Sequence, residues 1–194
     1  MRGLNFCPTP GCVWAVKQPN ERINKDLQFK AQLKGLGFYL LPILVLVPLD
    51  QLTKLWVRTN FYLGESRPPE GFFRLTYLQN TGASFGIFQD GAIFFTIFST
   101  ISLILMLTVV IFMRKFVPFL DSVGGKVAMG LVSAGTLGNL IDRYNLGFVV
   151  DFINFSFWPA FNVADSAIVV GAILLGFLIV VNYRNLEGDD GGEV

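Results

Sequence analysis

Four apolar segments follow one another along the chain, separated by polar stretches. The first, about 36–57, opens with GFYLLPILVLVPL and ends in the polar run DQLTK before Leu55-Trp56-Val57. The second, Gly91 to Met113, carries no charge over 23 residues, enough at helical rise to cross a hydrocarbon layer of about 30 Å. The third, Val127 to Ile141, has only 15 residues and is rich in Gly, Ala and Ser; it spans only by continuing past Asp142 or meeting a thinned boundary. The fourth, Ser166 to Tyr183, is an uncharged 18-mer. The pattern predicts an all-α integral membrane protein with four transmembrane helices. Between the first two segments, FFRLTYLQ alternates Phe73, Leu75 and Tyr77 with Arg74 and Thr76. That period of two predicts a short strand, part of a small extracytoplasmic β element on the membrane surface.

Cations flanking the segments set the orientation. With the N-terminus inside, ten fall on the inner side: Arg2, Lys17, Arg22, Lys25, Lys30 and Lys34 in the leader, then Arg114, Lys115, Lys126 and Arg184. Five fall outside: Lys54, Arg58, Arg67, Arg74 and Arg143. Both termini are therefore expected in the cytoplasm, with about 58–90 and 143–164 on the outer face. Residues 1–35 read as a polar cytoplasmic extension, 36–184 as the membrane domain and 185–194 as an acidic cytoplasmic tail. The first apolar run is too long for a cleavable signal peptide, and no small-x-small site follows it.

Composition narrows the chemistry. Of 194 residues, 53% are hydrophobic and 15% charged, with twenty Phe and a mean hydropathy of +0.55; soluble domains average roughly 25% charged residues. The net charge of +1 offers no electrostatic footprint for nucleic acid. With no histidine in the chain, Ser-His-Asp and Cys-His catalysis and His-ligated metal sites are excluded. The only cysteines, Cys7 and Cys12, lie in the leader and are too few for a structural zinc site. Catalysis, if present, falls to carboxylates, hydroxyls, lysine or backbone.

Polar residues inside or at the ends of spanning helices are costly, so each needs a partner or a purpose. Asp50 and Lys54 are four apart and share a helix face, as an interfacial ion pair or as the organiser of an adjoining site. Asn80-Thr81-Gly82-Ala83-Ser84-Phe85-Gly86 suits a turn whose backbone approaches something closely. In Gly138-Asn139-Leu140-Ile141-Asp142-Arg143, helix termination and a local pair with Arg143 account for Asp142 but not for the amide of Asn139. Asp151 in VVDFI and Asp165 in FNVADSAI have no cation nearby, the nearest in sequence being Arg143 and Arg184. Singly, Asp165 reads as an acid in the first turn of a helix and Asp151 as a surface loop residue. Together, at one membrane boundary among apolar neighbours, they read as a dyad sharing one proton, able to hold an acid and a base at once.

Five fragments, DQLTK at 50–54, NTGASFG at 80–86, GNLIDR at 138–143, GFVVDFI at 147–153 and FNVADSAI at 161–168, occur in the order found in lipoprotein signal peptidases (signal peptidase II), and the chain resembles that family over about 36–184. The resemblance implies a membrane aspartic endopeptidase of the bacterial cytoplasmic (inner) membrane, with its active site near the outer face. It implies removal of signal peptides from prolipoproteins, just before a cysteine carrying diacylglyceryl. Asp151 and Asp165 match the family's catalytic pair, and Asp142 its polar support. Asn80, Gly82, Asn139, Arg143, Asn162 and Ala164 match positions that shape or contact substrate, and Asp50 and Lys54 a supporting pair; Gly138 belongs to the same site. No cofactor or metal is implied. The expected partners are lipid-modified prolipoproteins and membrane lipid, with no nucleic acid, and the protein is expected to be a monomer.

The expected mechanism has one ionised aspartate taking a proton from water while its protonated partner polarises the scissile carbonyl and assists departure of the amine. Two rivals remain at this point. One is a Ser-Lys peptidase using Ser84 or Ser166 with Lys54. The other is a small transporter or channel subunit, for which acids near mid-membrane rather than at one boundary are expected.

Overall fold

The computed structural model describes residues 21–82, 91–113 and 118–190. The chain divides into two units, Met1–Lys34, helical from residue 21, and Gly35–Val194, which holds all other elements. The elements run α1 (Glu21–Asn60), β1 (Ser66–Arg67), β2 (Phe73–Asn80), α2 (Ala92–Thr108) with a π-helical turn over Val109–Met113, α3 (Pro118–Asp121), α4 (Val123–Leu146), β3 (Val149–Phe155), β4 (Trp158–Phe161) and α5 (Val163–Asp190). Cys7, Cys12, Ser84, Arg114, Lys115 and the last four residues lie outside the described residues.

Among the described residues, three helices are long and apolar enough to cross a membrane: Gly35–Asn60, Ile93–Phe112 and Val163–Arg184. Their outward side chains include Leu44, Leu52, Ile97, Phe98, Ile173 and Phe177, all exposed, the reverse of a soluble surface. The third predicted segment is the middle of α4, which reaches beyond it at both ends, from Val123 to Leu146. Ser122 caps its start by accepting from the Gly125 N–H at 3.0 Å. Gly147, at φ +80°, ends it in the left-handed conformation.

The helix α4 packs on α5 through small residues. A Cβ on Gly135 meets the Ala164 carbonyl oxygen at 2.2 Å, and one on Gly171 meets the Ala128 carbonyl oxygen at 2.9 Å. Glycine at these positions permits backbone-to-backbone contact that no side chain allows. Sheet and helices meet in a core of Val57, Phe61, Tyr77, Val150 and Phe152.

The sheet is antiparallel in the order β1-β2-β3-β4. Sequence reading found only β2. It left β3 and β4 as outer loop. The turn between these two strands falls at Ser156–Phe157, and Pro159 is tolerated because β4 is an edge strand. The predicted alternation along β2 also breaks. Thr76 and Tyr77 are both buried, because the register shifts between Leu75 and Leu78. Thr76 is satisfied there by Ser66 Oγ at 2.8 Å and Asn154 Nδ2 at 3.1 Å.

Candidate active site

Asp165 owes its place to the start of α5. Asn162 precedes the helix, and its Oδ1 accepts the Asp165 N–H at 2.9 Å while Asp165 Oδ2 accepts the Asn162 N–H at 3.1 Å. This reciprocal capping box fixes both side chains and puts the carboxylate in the field of the helix N-terminus. Asp151 lies mid-way along β3, opposite Leu78 of β2, and is 3% exposed. The amide of Asn162 joins the two acids, since its Nδ2 donates to Asp151 Oδ1 at 2.8 Å. Asn80, at the end of β2, donates to Asp151 Oδ2 at 2.9 Å, and its own Oδ1 accepts the Gly82 N–H at 3.1 Å. Asn139 of α4 donates to Asp165 Oδ1 at 2.7 Å.

Behind this pair lies a buried ionic cluster. Lys54 Nζ reaches Asp50 Oδ2 at 2.8 Å, Asp142 Oδ2 at 3.1 Å and Asn139 Oδ1 at 3.0 Å. These contacts occupy all three ammonium protons. Asp50 Oδ1 accepts the Ala164 N–H at 2.9 Å, and Asp142 Oδ2 accepts the Val150 N–H at 3.0 Å. Gly138 makes room for the cluster, because a Cβ there falls 2.7 Å from Asp50 Oδ2 and 3.2 Å from Ala164 Cβ.

Asp142 therefore pairs across to α1 and not with Arg143 beside it in sequence. Consecutive helical residues point in different directions, and Arg143 instead lines the cavity onto which Asp151 and Asp165 open. That cavity, about 830 Å³, is also lined by Gly82, Phe95, Trp158 and Val169. Val169, on its α5 wall, is exposed to the surroundings of the helix. Burial, followed by the charge of Asp165, pushes the Asp151 carboxyl up to about 7, against the hydrogen bonds from Asn80 and Asn162.

All twelve residues singled out from the sequence fall in one connected network or on its cavity. Gln51 was missed as a site residue. Its Nε2 lies 3.2 Å from Asp50 Oδ2, 3.1 Å from Asp142 Oδ1 and 3.1 Å from the Gly138 carbonyl oxygen. The signal was present, an amide in an apolar helix, the same one that singled out Asn139. For the serine rival, Ser166 Oγ donates to the Asn162 carbonyl at 2.9 Å, and Lys54 Nζ is engaged by Asp50, Asp142 and Asn139.

The family described as "Signal peptidase (SPase) II" matches residues 42–181. A lipoprotein signal peptidase of Dehalococcoides mccartyi is 44% identical over 140 residues, covering 72% of this chain and 86% of its own length. One from Syntrophomonas wolfei is 43% identical over 145 residues, covering 74% and 93%. Among solved structures, a bacterial membrane enzyme determined by the in meso method at 2.3 Å superposes with a TM-score of 0.66 at 33% identity. That match covers 81% of this chain and 94% of the other.

Proposed function

The chain belongs to the signal peptidase II family, and from that premise we propose that it removes signal peptides from prolipoproteins by an aspartic mechanism, cutting before the diacylglyceryl-modified cysteine. The observation that carries the reading is the pair Asp151 and Asp165, joined through Asn162 and opening on one cavity, with no cation among the described residues bonded to either carboxylate.

The two acids divide the work by environment. Asp165, oriented by two N–H bonds at the start of α5, is the base. Asp151, pushed up to about 7, holds the shared proton. Asp165 takes a proton from water as the oxygen attacks the scissile carbonyl carbon, and Asp151 gives its proton to the carbonyl oxygen. Asp165 then protonates the leaving nitrogen, and Asp151 recovers a proton from the tetrahedral intermediate as the C–N bond breaks. The pair returns to its starting state with one water consumed. Each acid-base step contributes roughly 10²–10⁴-fold, so positioning and exclusion of bulk water supply the remainder. Arg143, on the cavity wall, balances charge developing on the oxygen.

The helix α4 is the fourth membrane crossing in this reading. Its 24 residues extend roughly 36 Å at 1.5 Å per residue. Its polar side chains Ser133, Asn139 and Asp142 lower its hydropathy, and they are buried against protein and not presented to lipid. Both termini are cytoplasmic, the sheet and dyad face the outer side of the bacterial inner membrane, and the cavity wall at Val169 admits the diacylglyceryl chains from lipid. The enzyme acts as a monomer without a metal. The test is cleavage by purified protein in lipid, using lipidated and unmodified precursor with and without a strong chelator. Cleavage of the lipidated form alone, indifferent to chelator, is expected; metal-dependent cleavage, restored by added divalent ion, overturns the mechanism.

A further inference from the structure

The two carboxylates of the ionic cluster hold equivalent atoms. Asp142 accepts the N–H of Val150, the residue before Asp151. Asp50 accepts the N–H of Ala164, the residue before Asp165. Each catalytic aspartate thus follows a backbone amide anchored to one member of a single cluster. Lys54 attracts both members. Gln51 Nε2 lies within hydrogen-bond distance of both, sharing Asp50 Oδ2 with Lys54, and through the Gly138 carbonyl it also ties them to α4. Gln51 and Lys54 lie one turn apart on α1, so a rigid helix segment sets the separation of Asp50 from Asp142.

We infer that Gln51 is a positioning residue, which with Lys54 fixes the separation of the Asp151 and Asp165 carboxyls through the Val150 and Ala164 amides. The inference rests on the aspartic reading above. Gln51 is the informative position because it is neutral. Removing Lys54 strands two buried carboxylates and threatens the fold, whereas Gln51→Met removes hydrogen bonds at nearly constant volume.

The readout is the interval between the two limbs of the pH–rate profile. That interval measures how strongly the charge on one carboxyl opposes ionisation of the other, and it shrinks as they separate. Without Gln51 the carboxyls relax apart, so Gln51→Met should narrow the interval and lower kcat at least tenfold, with KM for a lipidated precursor within about twofold. A merely structural role lowers the yield of active enzyme and leaves both limbs where they were. An unchanged or widened interval overturns the inference. If Gln51→Met does not fold, Gln51→Asn, with its amide one methylene short, is read by the same criterion. Asp151→Asn and Asp165→Asn run alongside: if either turns over normally, the aspartic reading fails; if both are inactive while the Gln51 variant keeps its interval, only the positioning role fails.

Discussion

Lys54→Met tests the buried cluster at its centre. Lys54 and Asp50 are 2% and 1% exposed, and Asp142 is 3% exposed, so one cation sits among two carboxylates with almost no water. At an effective dielectric of about 20, a unit pair at the observed 2.8 Å attracts by roughly 6 kcal/mol, and the second pair at 3.1 Å by only slightly less. Desolvation of the three charges offsets most of that gain, and breaking such a pair from one side costs about 3–5 kcal/mol. Methionine fills the space but leaves two acids facing each other. Asp50→Asn removes a charge from the same cluster at a smaller loss. It leaves Lys54 and Asp142 as a balanced pair, and the asparagine oxygen can still accept the Ala164 N–H, but its NH2 no longer accepts from Lys54 or Gln51, so about 1–2 kcal/mol is lost. For a chain of this size roughly 2–4 °C accompanies each kcal/mol. Lys54→Met should therefore unfold roughly 10 °C below the parent, and Asp50→Asn within a few degrees of it. Thermal unfolding in one detergent, followed by tryptophan fluorescence, makes the comparison. Equal melting temperatures for the two variants would refute the charge accounting.

Three further outcomes follow from the same geometry. Asn80→Ala removes a hydrogen bond that favours ionised Asp151, so the carboxyl should rise further above about 7. Since the protonated form is the active one in the proposed mechanism, the high-pH limb of kcat/KM should move to higher pH; a downward move contradicts the assignment of Asp151 as the acid. Gly138→Ala gains about 1 kcal/mol in helix propensity but drives a methyl to 2.7 Å from Asp50 Oδ2, an overpacking cost of about 1–3 kcal/mol. Lower stability and slower turnover are expected, whereas Gly176→Ala, with nothing within 4 Å, should do neither. In a variant lacking Cys7 and Cys12, a cysteine at Glu65 or Trp158 should react with a membrane-impermeant reagent that reaches the outer face, and one at Lys115 should not; the reverse pattern refutes the orientation.

The proposed dyad drew notice because a carboxylate in an apolar stretch without a nearby cation is conspicuous in sequence. Asp151 and Asp165 are each distant from Lys and Arg in sequence, and among the described residues their side-chain partners are amides. Partners across the fold were not legible. Asp142 looked satisfied by Arg143, and only the packing of α4 on α1 shows Lys54 in that place. The extent of α4 was hidden because Lys126, Asp142 and Arg143 truncate its apolar run, although the helix continues through all three. Strands β3 and β4 escaped notice because VVDFINF lacks alternation and WPAF contains a proline. Both are strands by virtue of pairing in one sheet with β2, which is a tertiary event.

The central claim is that Asp151 and Asp165 act as one unit. Single-turnover cleavage of a lipidated precursor by Asp151→Asn, Asp165→Asn and the double variant tests it most directly, with substrate binding measured on each. Groups that act together lose nearly everything when either is removed. The account predicts that both single variants bind substrate yet cleave no faster than the double. Measurable cleavage by one single variant, with a further loss in the double, would contradict it.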